Sequence, residues 1–333
     1  GNLLIYATGK SGGVAFDNSY GYIQAQGNID VIGYAGGDAN AGVLISVAGP
    51  TLTNTSGGVI RSVSGNVTLS GYAANGVGVF LYDDAVNIVA TAGNITIQGA
   101  SLSANSADNY TTASAAIGTV YTSVSNAITG ATNPRTVLPT GYATANSSVG
   151  ATGLYWGDHF YGGKLLAVNN PATVSTGTAP TSGGNVTVNG KSLYACARTG
   201  DCNSGAAVAF FDGFNIYAWG SISVTGDSAP NGLNASTGGN HGINIWSTTT
   251  TIRSYNASVS LTGYADGYRT IDNFTTTLAS AGVFIYSDHN TIRAKTDVTI
   301  IGIDLSGIGV WYNNTSSGGT NGITADSGNV VIK

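Results

Sequence analysis

Asp17, Asp83, Asp84, Asp158, Asp212 and Asp288 all follow a short aromatic-rich segment of the same type. His159 and His289 stand beside two of them, and Asn18, Asn313 and Asn314 take equivalent places. Clustered carboxylates with histidine are the equipment of acid-base cleavage of a polysaccharide. That chemistry needs two carboxyl groups about 5 to 9.5 Å apart, one of them with a raised pKa. Asp158–His159 and Asp288–His289 belong to different repeats of the chain, several strand spacings apart. Asp83 and Asp84 are adjacent and splay to opposite sides of a strand end. Asp and Asn also end strands for a simpler reason, since their side chains bond backbone amides at turns. These residues are read as turn formers: no catalytic residue is assigned, and a carbohydrate-cleaving groove is kept as the alternative. Calcium would use the same carboxylates, but the nonapeptide pattern GGxGxDxUx is missing and no metal is assigned.

The cysteines are Cys196 and Cys202, which bracket the five residues ARTGD inside a loop at 193–205. The spacing permits a small disulfide-closed loop, implying an oxidising compartment; two free thiols are the other reading. Aromatic residues form a third set: Phe80, Tyr82, Tyr155, Phe211, Trp246, Phe284, Tyr286 and Trp311 occupy alternate, outward positions of one recurring strand. A strip of this kind is a large apolar patch that rarely faces bare water. It would pack against another chain, lie under the protein's own insertion, or offer a flat platform to sugar rings. Arg61, Arg253, Arg293 and Lys295 make a cationic set on another recurring strand. Arg253 and Arg293 fall on successive repeats, a like-charge pair that costs a few tenths of a kcal/mol unless a carboxylate or sulfate is near.

The elements that position these sets are visible in a phrase that returns nine times, a small polar residue, alternating apolar residues and then glycine. It reads NLLIYATG (2–9), NIDVIGYA (28–35), NVTLSGYA (66–73), NITIQGAS (94–101), NVTVNGKS (185–192), SISVTGDS (221–228), SVSLTGYA (258–265), DVTIIGID (297–304) and NVVIK (329–333). Most copies are 28 to 39 residues apart, so each belongs to a larger unit whose neighbours bury its apolar face. A second strand type follows, GVAFD (13–17), GVLIS (42–46), GVFLY (78–82), GLYWG (153–157), AVAFF (207–211), GINIW (242–246), GVFIY (282–286) and GIGVW (307–311). A third comes after it, YIQAQ (22–26), VIRSV (59–63), NIVAT (87–91), NIYAW (215–219), TIRSY (251–255), TIRAK (291–295) and GITAD (322–326). Three short strands per turn, about eight times over, predict an all-β chain coiled as a single right-handed parallel β-helix spanning 1–333. Period-two alternation sends Val67, Leu69 and Gly71 to the core and Thr68 and Ser70 outward.

Composition agrees and excludes other classes. The 333 residues include 50 Gly, no Met, 8% charged residues and 16 acidic residues, all Asp, a poor supply for long helices. A net charge of -5 without a basic run offers nucleic acid little attraction. No apolar stretch approaches membrane-spanning length. The chain starts without Met and stops inside a repeat, as expected of a slice of a longer protein. Residues 102–150 form a long excursion in which Ile117, Val120, Tyr121, Val124 and Ile128 fall at helical spacing before Pro134 and Pro139. A short helix there would be functional or would shield a sheet face. The stretch 169–184 reads as a loop. Asn-x-Ser/Thr sequences at Asn66, Asn94 and Asn185 open core strands and are read as composition, not glycosylation. Regular Thr-x-Thr columns are lacking and TTTT at 248–251 is isolated, which places ice binding last.

The segments IQAQGNIDVIG, IRSVSGNVTLSG, IVATAGNITIQG and IRAKTDVTIIG resemble the repeats of filamentous haemagglutinin-like exoproteins of bacterial two-partner secretion. The resemblance covers most of the chain, although an Asn-Pro-Asn-Gly type signature is absent and the turns are longer than usual for that family. It implies an extracellular or cell-surface adhesin or fibre segment without a cofactor. The expected function is non-enzymatic, structural and adhesive. Partners would be other copies or solenoid segments, stacked end to end or laterally, and surface glycans; nucleic acid and a membrane span are not expected. A carbohydrate-active β-helix enzyme or a glycan-binding module is the alternative.

Overall fold

In the computed structural model the described residues are 1–9, 12–16, 23–35, 41–46, 60–73, 77–82, 86–101, 156–161, 163–192, 205–211, 213–228, 241–246, 249–265, 281–286, 289–304, 307–313 and 322–333. They hold 25 strands in three parallel sheets. The first sheet contains Leu3–Gly9, Ile29–Ala35, Val67–Ala73, Ile95–Ser101, Val186–Ser192, Ile222–Ser228, Val259–Ala265, Val298–Asp304 and Val330–Ile332. The second contains Val14–Phe16, Val43–Ser46, Val77–Tyr82, Trp156–Tyr161, Gly205–Phe211, His241–Trp246, Ala281–Tyr286 and Ile308–Asn313. The third contains Ile23–Ala25, Ile60–Ser62, Asn87–Ala90, Lys164–Ala167, Asn215–Ala218, Thr251–Ser254, Thr291–Ala294 and Gly322–Ala325. Successive strands enter the three sheets in rotation, so each cycle of three places one rung on every sheet.

The register explains why the phrases repeat. Val67 pairs with Ile95 and Ile29, and Leu69 with Ile97 and Val31, so identical positions stack. Inward residues of all three sheets, such as Leu69, Leu81 and Ile88, have no exposed surface and join one continuous core. Each such side chain contributes about 1.5 to 3 kcal/mol by leaving water. Phe210 and Phe214, stacked at 5.5 Å with rings 8° from parallel, are both fully buried in the fifth cycle.

The corner leading into the first sheet is built from side-chain amides. The backbone N–H of Asn28 donates to Oδ1 of Asn2, that of Asn66 to Asn28, that of Asn94 to Asn66 and that of Asn185 to Asn94, at 2.8 to 2.9 Å. Nδ2 of Asn185 also donates to Oδ1 of Asn94, at 3.1 Å, and the N–H of Ser221 donates to Oδ1 of Asn185, at 2.7 Å. The sequons at Asn66, Asn94 and Asn185 therefore sit in a structural ladder. Asn94→Ala strips an acceptor from two donors, and a loss of about 1 kcal/mol in denaturant unfolding is expected; an unchanged midpoint would mean that the ladder adds nothing.

The fourth cycle departs from the sequence reading. Its second-sheet strand is Trp156–Tyr161, not GLYWG at 153–157. The register slips between Gly157 and His159 against one neighbour and between Trp156 and Asp158 against the other. Asp158 and His159 therefore lie within the strand rather than after it. Its third-sheet strand, Lys164–Ala167, went unrecognised in the sequence, where KLLA lacks the Ile-Arg-Ser pattern of its neighbours. Residues 169–184 are more than a loop. Val168 and Gly183 form an antiparallel bridge, and Val174 to Thr176 make a short 3-10 turn. Side-chain amides hold the segment: Asn169 bonds Thr181 and Ser182, and Asn170 donates to the carbonyl of Thr178 at 3.0 Å. Val174 packs with Val89, Leu166, Val168 and Tyr217 in a second apolar cluster on the outer side of the third sheet. In the outward column of that sheet Val89, Leu166 and Tyr217 are apolar where this flap covers them, with Arg61 on one side of them and Arg253 and Arg293 on the other. The expected excursion at 102–150 and the loop holding Cys196 and Cys202 lie outside the described residues.

Candidate functional site

Stacking on the second sheet turns the expected aromatic stripe into two adjacent columns. Phe80 pairs with Leu44 and His159, Phe284 with Asn244 and Trp311. The neighbouring column runs through Ser46, Tyr82, Tyr161, Phe211, Trp246, Tyr286 and Asn313. Tyr155 lies outside the described residues. Four of the expected residues meet. Phe284 lies 5.1 Å from Trp311 in edge-to-face geometry, 6.0 Å from Tyr286 and 6.4 Å from Trp246, and Trp246 lies 5.2 Å from Tyr286. Such ring pairs add about 0.5 to 1.5 kcal/mol each beyond the area they bury. Phe284 is covered, whereas Trp246 keeps 38% of its surface exposed. The cluster thus has a buried centre and a solvent-facing rim.

His241 supports the centre and was missed in the sequence, where it stands at the head of HGINIW rather than beside an aspartate. Its ring stacks on Phe284 at 4.7 Å, 13° from parallel. Nδ1 accepts the backbone N–H of Ala281 at 3.1 Å. Burial lowers its pKa to about 4, so the imidazole is neutral and works as an acceptor.

The third sheet carries the cationic set. Arg253 and Arg293 are in register on adjacent rungs, as their spacing in the sequence required, while Arg61 lies four rungs away. Each guanidinium is held. That of Arg253 lies 4.3 Å from the ring centroid of Tyr255, and Nε of Arg293 donates to Oδ1 of Asp326 at 2.8 Å. Lys295 lies just past the end of the strand that carries Arg293. The hydrogen bond from Arg293 holds the Asp326 carboxyl below its ordinary pKa, with smaller pulls in the same direction from the charges of Arg293, Lys295 and Arg253. One wall of this ledge is the flap, whose Val174 carbonyl accepts the Tyr255 hydroxyl at 3.5 Å.

The Asp and His residues considered for acid-base chemistry do not converge where they are described. Asp158 and His159 sit in the fourth cycle, and His289 follows the strand of the seventh. Three rungs separate them, about 14 Å at the spacing of parallel strands. Asp17, Asp83, Asp84, Asp212, Asp288, Asn18 and Asn314 lie outside the described residues. Among the described residues no group of three or more His, Cys or Asp is placed to hold a metal ion. No described helix is long and apolar enough to cross a membrane. Compared with protein-family models, with curated proteins and with solved structures, the chain matches none.

Proposed function

We propose that the three sheets form one right-handed parallel β-solenoid of eight three-stranded turns, and that it serves as a structural and adhesive segment of an extracellular bacterial fibre or surface exoprotein of the filamentous haemagglutinin-like kind. The observation that supports this reading most is the continuous register. The nine rungs of the first sheet keep identical positions in line from Leu3–Gly9 to Val330–Ile332. Outward side chains are thereby arranged in columns along the stack, as in a rod that presents surface, rather than gathered into one cleft. The work of such a rod is geometric: a rigid ladder holds exposed rings and charges at fixed intervals. Trp246, Tyr286 and Trp311 supply the rim through which copies associate side by side, with Phe284 packed beneath them.

Two measurements on the purified chain test the reading. Electron microscopy is expected to show rods whose length grows by about 4.8 Å per turn, roughly 40 Å for eight turns, associated laterally or in line. Sedimentation of a Trp246→Ala, Trp311→Ala double variant is expected to show weaker self-association at unchanged circular dichroism. Release of reducing or unsaturated ends from polysaccharides by the wild-type chain would replace the structural reading with the enzymatic one.

A further inference from the structure

The ledge on the third sheet is positively charged on an acidic protein. Arg253 and Arg293 occupy two adjacent rungs, Lys295 follows the end of the second, and Asp326 is the carboxylate bonded to Arg293, leaving these four groups an excess of two positive charges where the chain as a whole carries -5. Among the described residues the ion pairs are Lys191–Asp227 and Arg293–Asp326, so Arg253 and Lys295 have no carboxylate within ion-pair distance there. A solvated face of long side chains would leave both guanidinia to wander. Here Tyr255 lies against the Arg253 guanidinium, and a cation held in place loses less entropy when it binds. Like charges one rung apart repel, and an anion lying across both rungs removes that repulsion.

We propose that this ledge binds an acidic polysaccharide, a linear chain bearing one carboxylate or sulfate on each sugar or disaccharide, laid across the rungs with its anionic groups on Arg253, Arg293 and Lys295. Charge spacing favours this occupant. The backbone positions of Arg253 and Arg293 are one rung apart, about 4.8 Å, the scale of successive charged sugars, whereas duplex DNA carries a charge for every 1.7 Å or so of its axis. Asp326 occupies the place of one such anion, and it swings away from Arg293 when the ligand's own anion arrives. The flap edge at Val174 closes one end of the ledge. The inference rests on the adhesive reading for its biological sense but not for its geometry.

Titration calorimetry and affinity electrophoresis of the whole chain, with polygalacturonate and a sulfated glycosaminoglycan as probes and dextran as the neutral control, test the proposal. Both acidic polymers are expected to bind, with affinity falling as salt rises, and dextran is not. The Arg253→Gln, Lys295→Gln double variant, checked for native circular dichroism, should bind at least about tenfold more weakly. Asp326→Asn removes the competing carboxylate and should bind several-fold more tightly, a gain that a misfolded variant would not give. Equal binding of dextran, equal or tighter binding of duplex DNA or anionic vesicles, or affinity unchanged by either substitution overturns the proposal. Failure of the ledge leaves the rod and its lateral association standing. Binding followed by cleavage of the polymer overturns the adhesive reading and keeps the site.

Discussion

Lowering the pH from about 6.5 to about 4 is expected to destabilise the protein by about 3 kcal/mol through His241 alone. In the folded chain burial holds this imidazole to a pKa of about 4, while in the unfolded chain it returns to the ordinary value near 6.5. Between these limits the unfolded state takes up a proton that the folded state refuses, so stability drops steadily as the pH falls and levels off once both states are protonated. Asp326, whose pKa is also depressed but from a lower ordinary value, keeps its contribution above the ordinary carboxylate pKa and loses it as the pH falls through that value and below. The two windows are therefore separable. His241→Asn retains an oxygen that can accept the Ala281 N–H but does not titrate, and the slope of stability between pH 6.5 and 4 should flatten in that variant. An equal slope in both proteins would remove His241 as the cause. Because its ring stacks on Phe284 and Phe284 contacts Trp246, tryptophan fluorescence should report the same transition.

Strand identity was legible wherever a four-residue alternation stood between small polar residues. NVTLSGYA and SVSLTGYA became Val67–Ala73 and Val259–Ala265, because parallel strands with one buried face must alternate whatever surrounds them. The fourth cycle failed for the opposite reason. In LYWGDHFYGGKLLA a strand with irregular register is followed closely by a regular one, and a match to the Gly-aromatic form of neighbouring strands drew the reading several residues too early. The flap was illegible because its order comes from Asn169 and Asn170 side-chain bonds to Thr181, Ser182 and Thr178, which hydropathy does not register. Within the candidate site, the pairing of Arg253 with Arg293 followed from repeat spacing, and the carboxylate named as its remedy is Asp326. The aromatic residues were identified by alternation, yet their sorting into two columns depended on register: Trp311 aligns with Phe284 and Asn313 with Tyr286. A buried histidine leaves no periodic mark, and His241 emerged only once its neighbours were in place.

Gly263→Ala is expected to cost about 3 kcal/mol or more, the upper part of the range for overpacking. Gly263 sits where the first sheet turns across the start of the second, and a β-carbon there would overlap the carbonyl oxygen of Gly282 and press on Val283. The same approach recurs at Gly33 against Gly42, Gly71 against Gly78, Gly226 against Gly242 and Gly302 against Gly309. Glycine ends the apolar alternation of these phrases because two sheets meet there with no room for a side chain. A flexible neighbour could swing aside, but a carbonyl embedded in a parallel ladder moves only with its strand. Its displacement would strain the rungs of Val259–Ala265 and Ala281–Tyr286 together. Gly322→Ala is the matched control: among the described residues a β-carbon there meets nothing nearer than Thr324 Oγ1 at 3.6 Å, and a change within about 0.5 kcal/mol is expected. Denaturant unfolding of the two variants beside the wild type separates the cases. Equal midpoints for Gly263→Ala and Gly322→Ala would show that the seam between the sheets has room to spare and that the close approach is not what keeps glycine there.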